Sequence, residues 1–155
     1  MYFSYGQFMV FDQSVNMPGC DWTDEHVAQG FARRKSSVCI RALTEFGDAV
    51  VTAHATPYVR GDDHVRVIAV PFAVDSGTVV IEGPEESGTG RTVELQIGSY
   101  RLVVAQKRLD EDEEAVDLFF EKTPRLESRS EILVRDGDLD PPSPLIETAG
   151  IAGEA

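Results

Sequence analysis

The chain has 155 residues, with 27 acidic against 14 basic side chains, a formal net charge of −13 and a hydrophobic content of 42%. One domain of this length buries roughly two-thirds of its unfolded surface around a single core without needing disulfides. The acidic surface repels phosphate backbones, which excludes direct nucleic-acid binding, and no apolar run approaches the roughly 18 to 20 residues of a membrane helix, which excludes a spanning segment.

In chain order, period-two apolar patterning dominates and predicts strands. The first is FSYGQFMVF, residues 3–11. Its amino-terminal end has no basic flank, unbroken apolar run or small-residue cleavage site, so a cytoplasmic protein is expected, with Cys20 and Cys39 as reduced thiols. DWTDEHVAQGFARR, residues 21–34, then reads as an amphipathic helix. Asp21 or Thr23 can cap it, Asp24 and Glu25 suit the positive end of its dipole, and Trp22, Val27 and Phe31 fall near one face. Gly30 inside it implies close approach to another backbone.

Further strands are predicted at 37–44, 49–56, 64–74 and 78–82. Pro71 cannot donate to a ladder and marks an edge or a bulge. Segments 91–97 and 99–109 read as a hairpin about a Gly-Ser turn, and 114–122 and 130–135 supply the last strands. The expected fold is mainly β: an antiparallel β-sandwich of about eight strands, with one short helix between the first two. Residues 1–135 form the single domain, and 136–155 an acidic tail rich in Pro and Gly that is irregular or flexible and buries little.

Signatures of catalysis fail. There is no Walker loop, GxSxG elbow, HExxH pair or CxxC, and the GTGR within GPEESGTGR lacks the Walker lysine and hydroxyl. His26, His54 and His64 are scattered over helix, strand and turn, as surface or core histidines are. No enzyme activity and no cofactor is expected. Asp136, Asp138, Asp140 and Glu147 stand at positions 1, 3, 5 and 12 of a calcium loop, yet Pro141 occupies the place of the turn glycine and helical flanks are missing. A calcium-binding or general interaction module of β-sandwich type is therefore the alternative reading.

FSYGQFMVFD at 3–12 followed by DWTDEHVAQGFA at 21–32 resembles the opening of the competence protein J family. VIAVPFAV at 67–74 and VELQIGSYRLVVA at 93–105 are similar to later family segments, and the likeness runs in register over roughly residues 3–120. The resemblance implies a non-enzymatic inhibitor that binds a nuclease, either a DNA-entry enzyme or a toxin for which this chain is the immunity protein. It transfers no catalytic residue, and it suggests that Phe8, Trp22 and Phe31 define the fold. The chain departs from the family pattern in the run Asp110, Glu111, Asp112, Glu113 and Glu114 and after about residue 122. That run, with Asp21, Asp24 and Glu25 or with Asp62 and Asp63, is the expected partner-binding surface, offering carboxylates where a nuclease would expect phosphates.

Overall fold

The computed structural model describes residues 1–61, 63–86 and 90–153. It divides the FSYGQFMVF run into β1 (Tyr2–Phe3) and β2 (Gln7–Asp12). Tyr5 and Gly6 lie between them at φ of 56° and 65°, a left-handed pair that turns the chain out of one sheet and into the other. The helix α1 (Asp24–Gln29) follows, then β3 (Phe31–Arg34), β4 (Ser37–Arg41), β5 (Gly47–His54), β6 (Arg66–Val74) and β7 (Thr78–Glu82). β8 (Arg91–Glu94), β9 (Gly98–Asp110), β10 (Glu113–Thr123) and β11 (Glu131–Val134) complete the order, so the described residues hold eleven strands rather than about eight.

The strands form a six-stranded sheet, β1-β5-β10-β9-β6-β11, and a five-stranded sheet, β3-β4-β2-β7-β8. The first is mixed, not wholly antiparallel as expected, because β5 runs parallel to β10 with Asp48 opposite Glu113. The predicted hairpin of 91–97 with 99–109 is also corrected. β8 pairs with β7 in one sheet while β9 pairs with β6 and β10 in the other, so the chain between β8 and β9 crosses from sheet to sheet. Pro71 stands beyond the end of β11, whose ladder on β6 stops at Ala69, so the missing donor falls where β6 is locally an edge.

Alternation supplies the core. Phe8, Val10, Val38, Ile40, Val79 and Ile81 from one sheet meet Ile68, Phe72, Leu102, Val104, Val116 and Leu118 from the other. Each such side chain contributes about 1.5–3 kcal/mol by leaving water. β6 is buried along its whole length, because Tyr58, Phe119, Leu133 and Val134 cover Val67 and Ala69 on the outer face as well. The two cysteines are free thiols under the outer face of the five-stranded sheet, where the Cys20 N–H donates to Cys39 Sγ at 3.3 Å.

The helix is shorter than the pattern suggested. Thr23 caps it in a box with His26, and Gly30, at φ 91°, ends it by donating to the His26 and Val27 carbonyls. FARR then becomes β3 because it pairs residue by residue with β4, Phe31 opposite Ile40. A side chain at Gly30 would meet Leu139 and Ile68 within 3.1 Å, so the close approach there is to side chains rather than backbone. The expected apolar stripe does not exist as a helical face: Trp22 precedes α1, Val27 is exposed, and the buried helical residues are His26 and Gln29.

Those two polar side chains hold the carboxy-terminal segment. Gln29 donates to the Ile146 carbonyl at 2.9 Å and accepts the Ile146 N–H at 2.8 Å, and His26 Nε2 bonds the Thr148 carbonyl at 2.9 Å. Glu147 accepts from Arg33 Nε at 3.1 Å and from Ser130, Leu139 is buried beneath Gly30, and Ile151 bridges Cys20. Arg66, fully buried, donates from Nε and Nη2 to the two oxygens of Asp136 at 2.9 and 3.0 Å. The segment is irregular as expected; Leu139 is its one buried residue among those described, and Leu145 and Ala149 pack partly buried against the apolar clusters. Proline-rich composition forbids strands there without forbidding burial.

Three carboxylates lie below their ordinary value of 3.8 although burial by itself would raise them. Ser14, Ser76 and Asp75 donate to Asp12, His54 and His64 each approach Asp117 at 2.8 Å, and Arg66 holds Asp136. A lowered folded value means stability that is present above the unfolded value and lost as pH falls through the folded one. Burial raises Glu114 above its ordinary 4.5, and that group works in the opposite sense, its contribution fading as pH rises through its folded value. Asp63, beside Lys107, is lowered as well, so with four groups against one the urea midpoint should drop progressively below about pH 4; a midpoint that rises on acidification would contradict this assignment.

Candidate partner-binding surface

β9 and β10 are the longest strands, and their antiparallel ladder carries the acidic run to its tip. Asp110 ends β9, Glu111 and Asp112 form the turn and Glu113 opens β10; all four are exposed. Asp48 at the start of β5 joins them, and the five residues line one concavity of about 380 Å³. The turn is fixed there by the Asp48 N–H, which donates to the Asp112 carbonyl at 2.9 Å. Gly47 makes this approach possible, since a Cβ at that position would sit 2.1 Å from the same carbonyl oxygen.

Among the described residues, none of these five carboxylates forms an ion pair. Their mutual repulsion is relieved when a cationic surface approaches, which favours fast association with basic proteins. Asp48 was missed in the sequence because it stands 62 positions before Asp110, where the run begins.

Glu114 is corrected. It is fully buried, accepts from the Leu43 N–H at 2.7 Å and from Gln106 Nε2 at 3.1 Å, and so cannot meet a partner. A shift of register between Glu113 and Glu114 separates the exposed acids from the inward one. Asp63 is exposed but ion-paired with Lys107 at 2.9 Å, which holds its carboxyl below the usual range, and it does not line the concavity. Asp62 lies outside the described residues. Asp21, Asp24 and Glu25 are exposed before and at the first turn of α1, flanking Trp22.

Beside Trp22 opens a groove of about 420 Å³ whose walls include Tyr5, Gln7, Val27, Leu43 and Glu45. Trp22 donates from its indole nitrogen to Gln7 Oε1 at 3.0 Å, joining two elements of the sequence pattern that are 15 residues apart. It is half-buried, whereas Phe8 and Phe31 are completely buried, so those two define the core and Trp22 faces both ways. The calcium-like spacing does not assemble. Asp136 is held by Arg66 and Glu147 by Arg33, and among the described residues no group of three or more His, Cys, Asp or Glu side chains is placed to hold a metal.

Comparison with known proteins gives a family model, competence protein J, matching residues 1–143. Among solved structures, the crystal structure of ComJ from Bacillus subtilis, an inhibitor of the DNA-degrading activity of NucA, is similar, with a TM-score of 0.64 and 21% identity over 79% of this chain and 92% of that one. A protein described as crocagin biosynthetic gene J is similar with a TM-score of 0.50 and 14% identity over 77% and 92%. No curated protein matches significantly.

Proposed function

The chain belongs to the competence protein J family, and from this membership we propose that it is a non-enzymatic inhibitor that binds a DNA-degrading nuclease. The observation that carries the reading is the family match over residues 1–143, which takes in both sheets, α1 and the acidic turn. The uncompensated carboxylates of Asp48, Asp110, Glu111, Asp112 and Glu113 support it, because an enzyme that cleaves DNA must present a cationic surface to phosphates. Carboxylates on a fixed hairpin meet that surface without reorganising. Inhibition then follows from occupancy: a protein covering the cationic cleft excludes the substrate whether or not it reaches the catalytic groups. The cytoplasm is the proposed place of action, in keeping with two free cysteines side by side.

The test is a titration of the purified NucA-type nuclease of the chain's own host against increasing amounts of this chain, reading degradation of linear DNA. Activity should fall linearly and vanish at an equimolar ratio. Undiminished degradation at a large excess of the chain would remove the proposal.

A further inference from the structure

The groove at the end of the sandwich carries more apolar surface than a solvated edge requires. In its walls Tyr5 is 79% exposed and Val27 42%, and Phe46, 58% exposed, follows the wall residue Glu45 in the chain. Tyr5 holds a left-handed φ of 56°, a conformation unfavourable for a side chain of its size, and it does so on a tightly strapped turn. The Gly6 N–H donates to the Glu45 carbonyl, and the Ala42 N–H to the Gly6 carbonyl at 2.7 Å. Below, buried Glu114 receives the Leu43 N–H and Arg108 donates to the Leu43 carbonyl at 2.8 Å. The loop bearing Phe46 is therefore anchored from both sides, and ordering it on binding costs little.

Around the groove five acidic side chains stand against two basic ones, Arg41 and Arg108, among the described residues. Glu45 lies in its wall, Asp48 and Asp112 follow directly beyond Phe46 and Gly47, and Asp24 and Glu25 lie on the helix that carries Val27. Arg41, the cation of the lining, turns its Nη1 to the carbonyls of Val27 and Asp138 at 3.1 Å each. An apolar centre with an excess of carboxylates about it fits an aliphatic or aromatic side chain that is itself flanked by lysines or arginines.

We propose that this groove is the anchor of the nuclease complex: it takes one apolar side chain from the cationic DNA-binding face of the nuclease and sets the lifetime of the complex, while the acidic turn sets how fast it forms. The assignment rests on the inhibitor reading above. It divides the labour between two adjacent parts of one surface, since long-range charge acts on encounter and buried apolar contact acts on dissociation.

Binding kinetics of the purified host nuclease to the immobilised chain test it, with Tyr5→Asn and Phe46→Ser made singly and together. Asparagine tolerates the left-handed conformation and serine at Phe46 removes only an exposed ring, so both variants should keep the parent melting temperature. The double variant should dissociate at least about thirtyfold faster, with an association rate within about twofold of the parent at low and high salt. Unchanged dissociation in a variant that keeps its melting temperature overturns the groove while leaving the inhibitor reading intact. Should the double variant not fold, Val27→Ser in the groove wall decides alone, with at least about fivefold faster dissociation expected. A parent chain that binds no nuclease overturns both readings. A free chain that dimerises until Tyr5 is replaced would assign the groove to a second copy and overturn the proposal as well.

Discussion

Ending the chain after Arg135 is expected to leave it insoluble or without a cooperative unfolding transition. Arg66 would lose Asp136 while remaining fully buried between the sheets, and removing one partner of a buried ion pair costs about 3–5 kcal/mol. Leu139, 2% exposed under Gly30, would be lost too, at about 2–5 kcal/mol for an aliphatic core side chain. His26 and Gln29 would lose Thr148 and Ile146, leaving buried polar groups unsatisfied at about 1–3 kcal/mol each. The whole stability of a domain is only about 5–15 kcal/mol, and these losses together are of that size. The single change Asp136→Ala isolates the first effect and should lower the unfolding free energy by about 3–5 kcal/mol in urea. A truncated chain that unfolds cooperatively at the parent midpoint would show that residues 136–155 merely lie on the surface.

Replacing Asp110, Asp112 and Glu113 by Lys should slow association with the host nuclease at least about tenfold at low salt, and the difference should shrink as ionic strength rises. The side chains are exposed and, among the described residues, unpaired, so they contribute little to stability and the reversed chain should keep its melting temperature. Glu114 is left in place because its burial against Leu43 and Gln106 makes it part of the fold. Equal association rates for parent and reversed chain at low salt would reduce the hairpin tip to a solvated turn. Contact would then lie on another face.

Much of this molecule is legible in local pattern. Alternation located the cores of most strands, because period two is a property of a few neighbouring residues facing one buried layer. The turn at Asp110 to Glu113 and the capping Thr23 follow from residue chemistry within four positions. Family resemblance, carried by FSYGQFMVFD and DWTDEHVAQGFA, reached the same identity as the match over residues 1–143. The helix was overextended for a reason visible only in space: FARR satisfies helical spacing, but pairing with SVCIR offers it a complete ladder.

The sequence by itself thus determined a β-rich acidic domain, its family and an exposed run of carboxylates. Tertiary structure alone decided that β5 lies parallel to β10, that Glu114 turns inward while Glu113 stays in water, and that Asp136 and Leu139 complete the core. It also decided that Tyr5, Trp22, Val27 and Leu43 line one groove. The difference is one of range. Periodicity and capping are settled between residues a few positions apart, whereas strand direction, the partner of a buried charge and the company of an exposed ring depend on contacts between segments whose sequences carry no mark of one another.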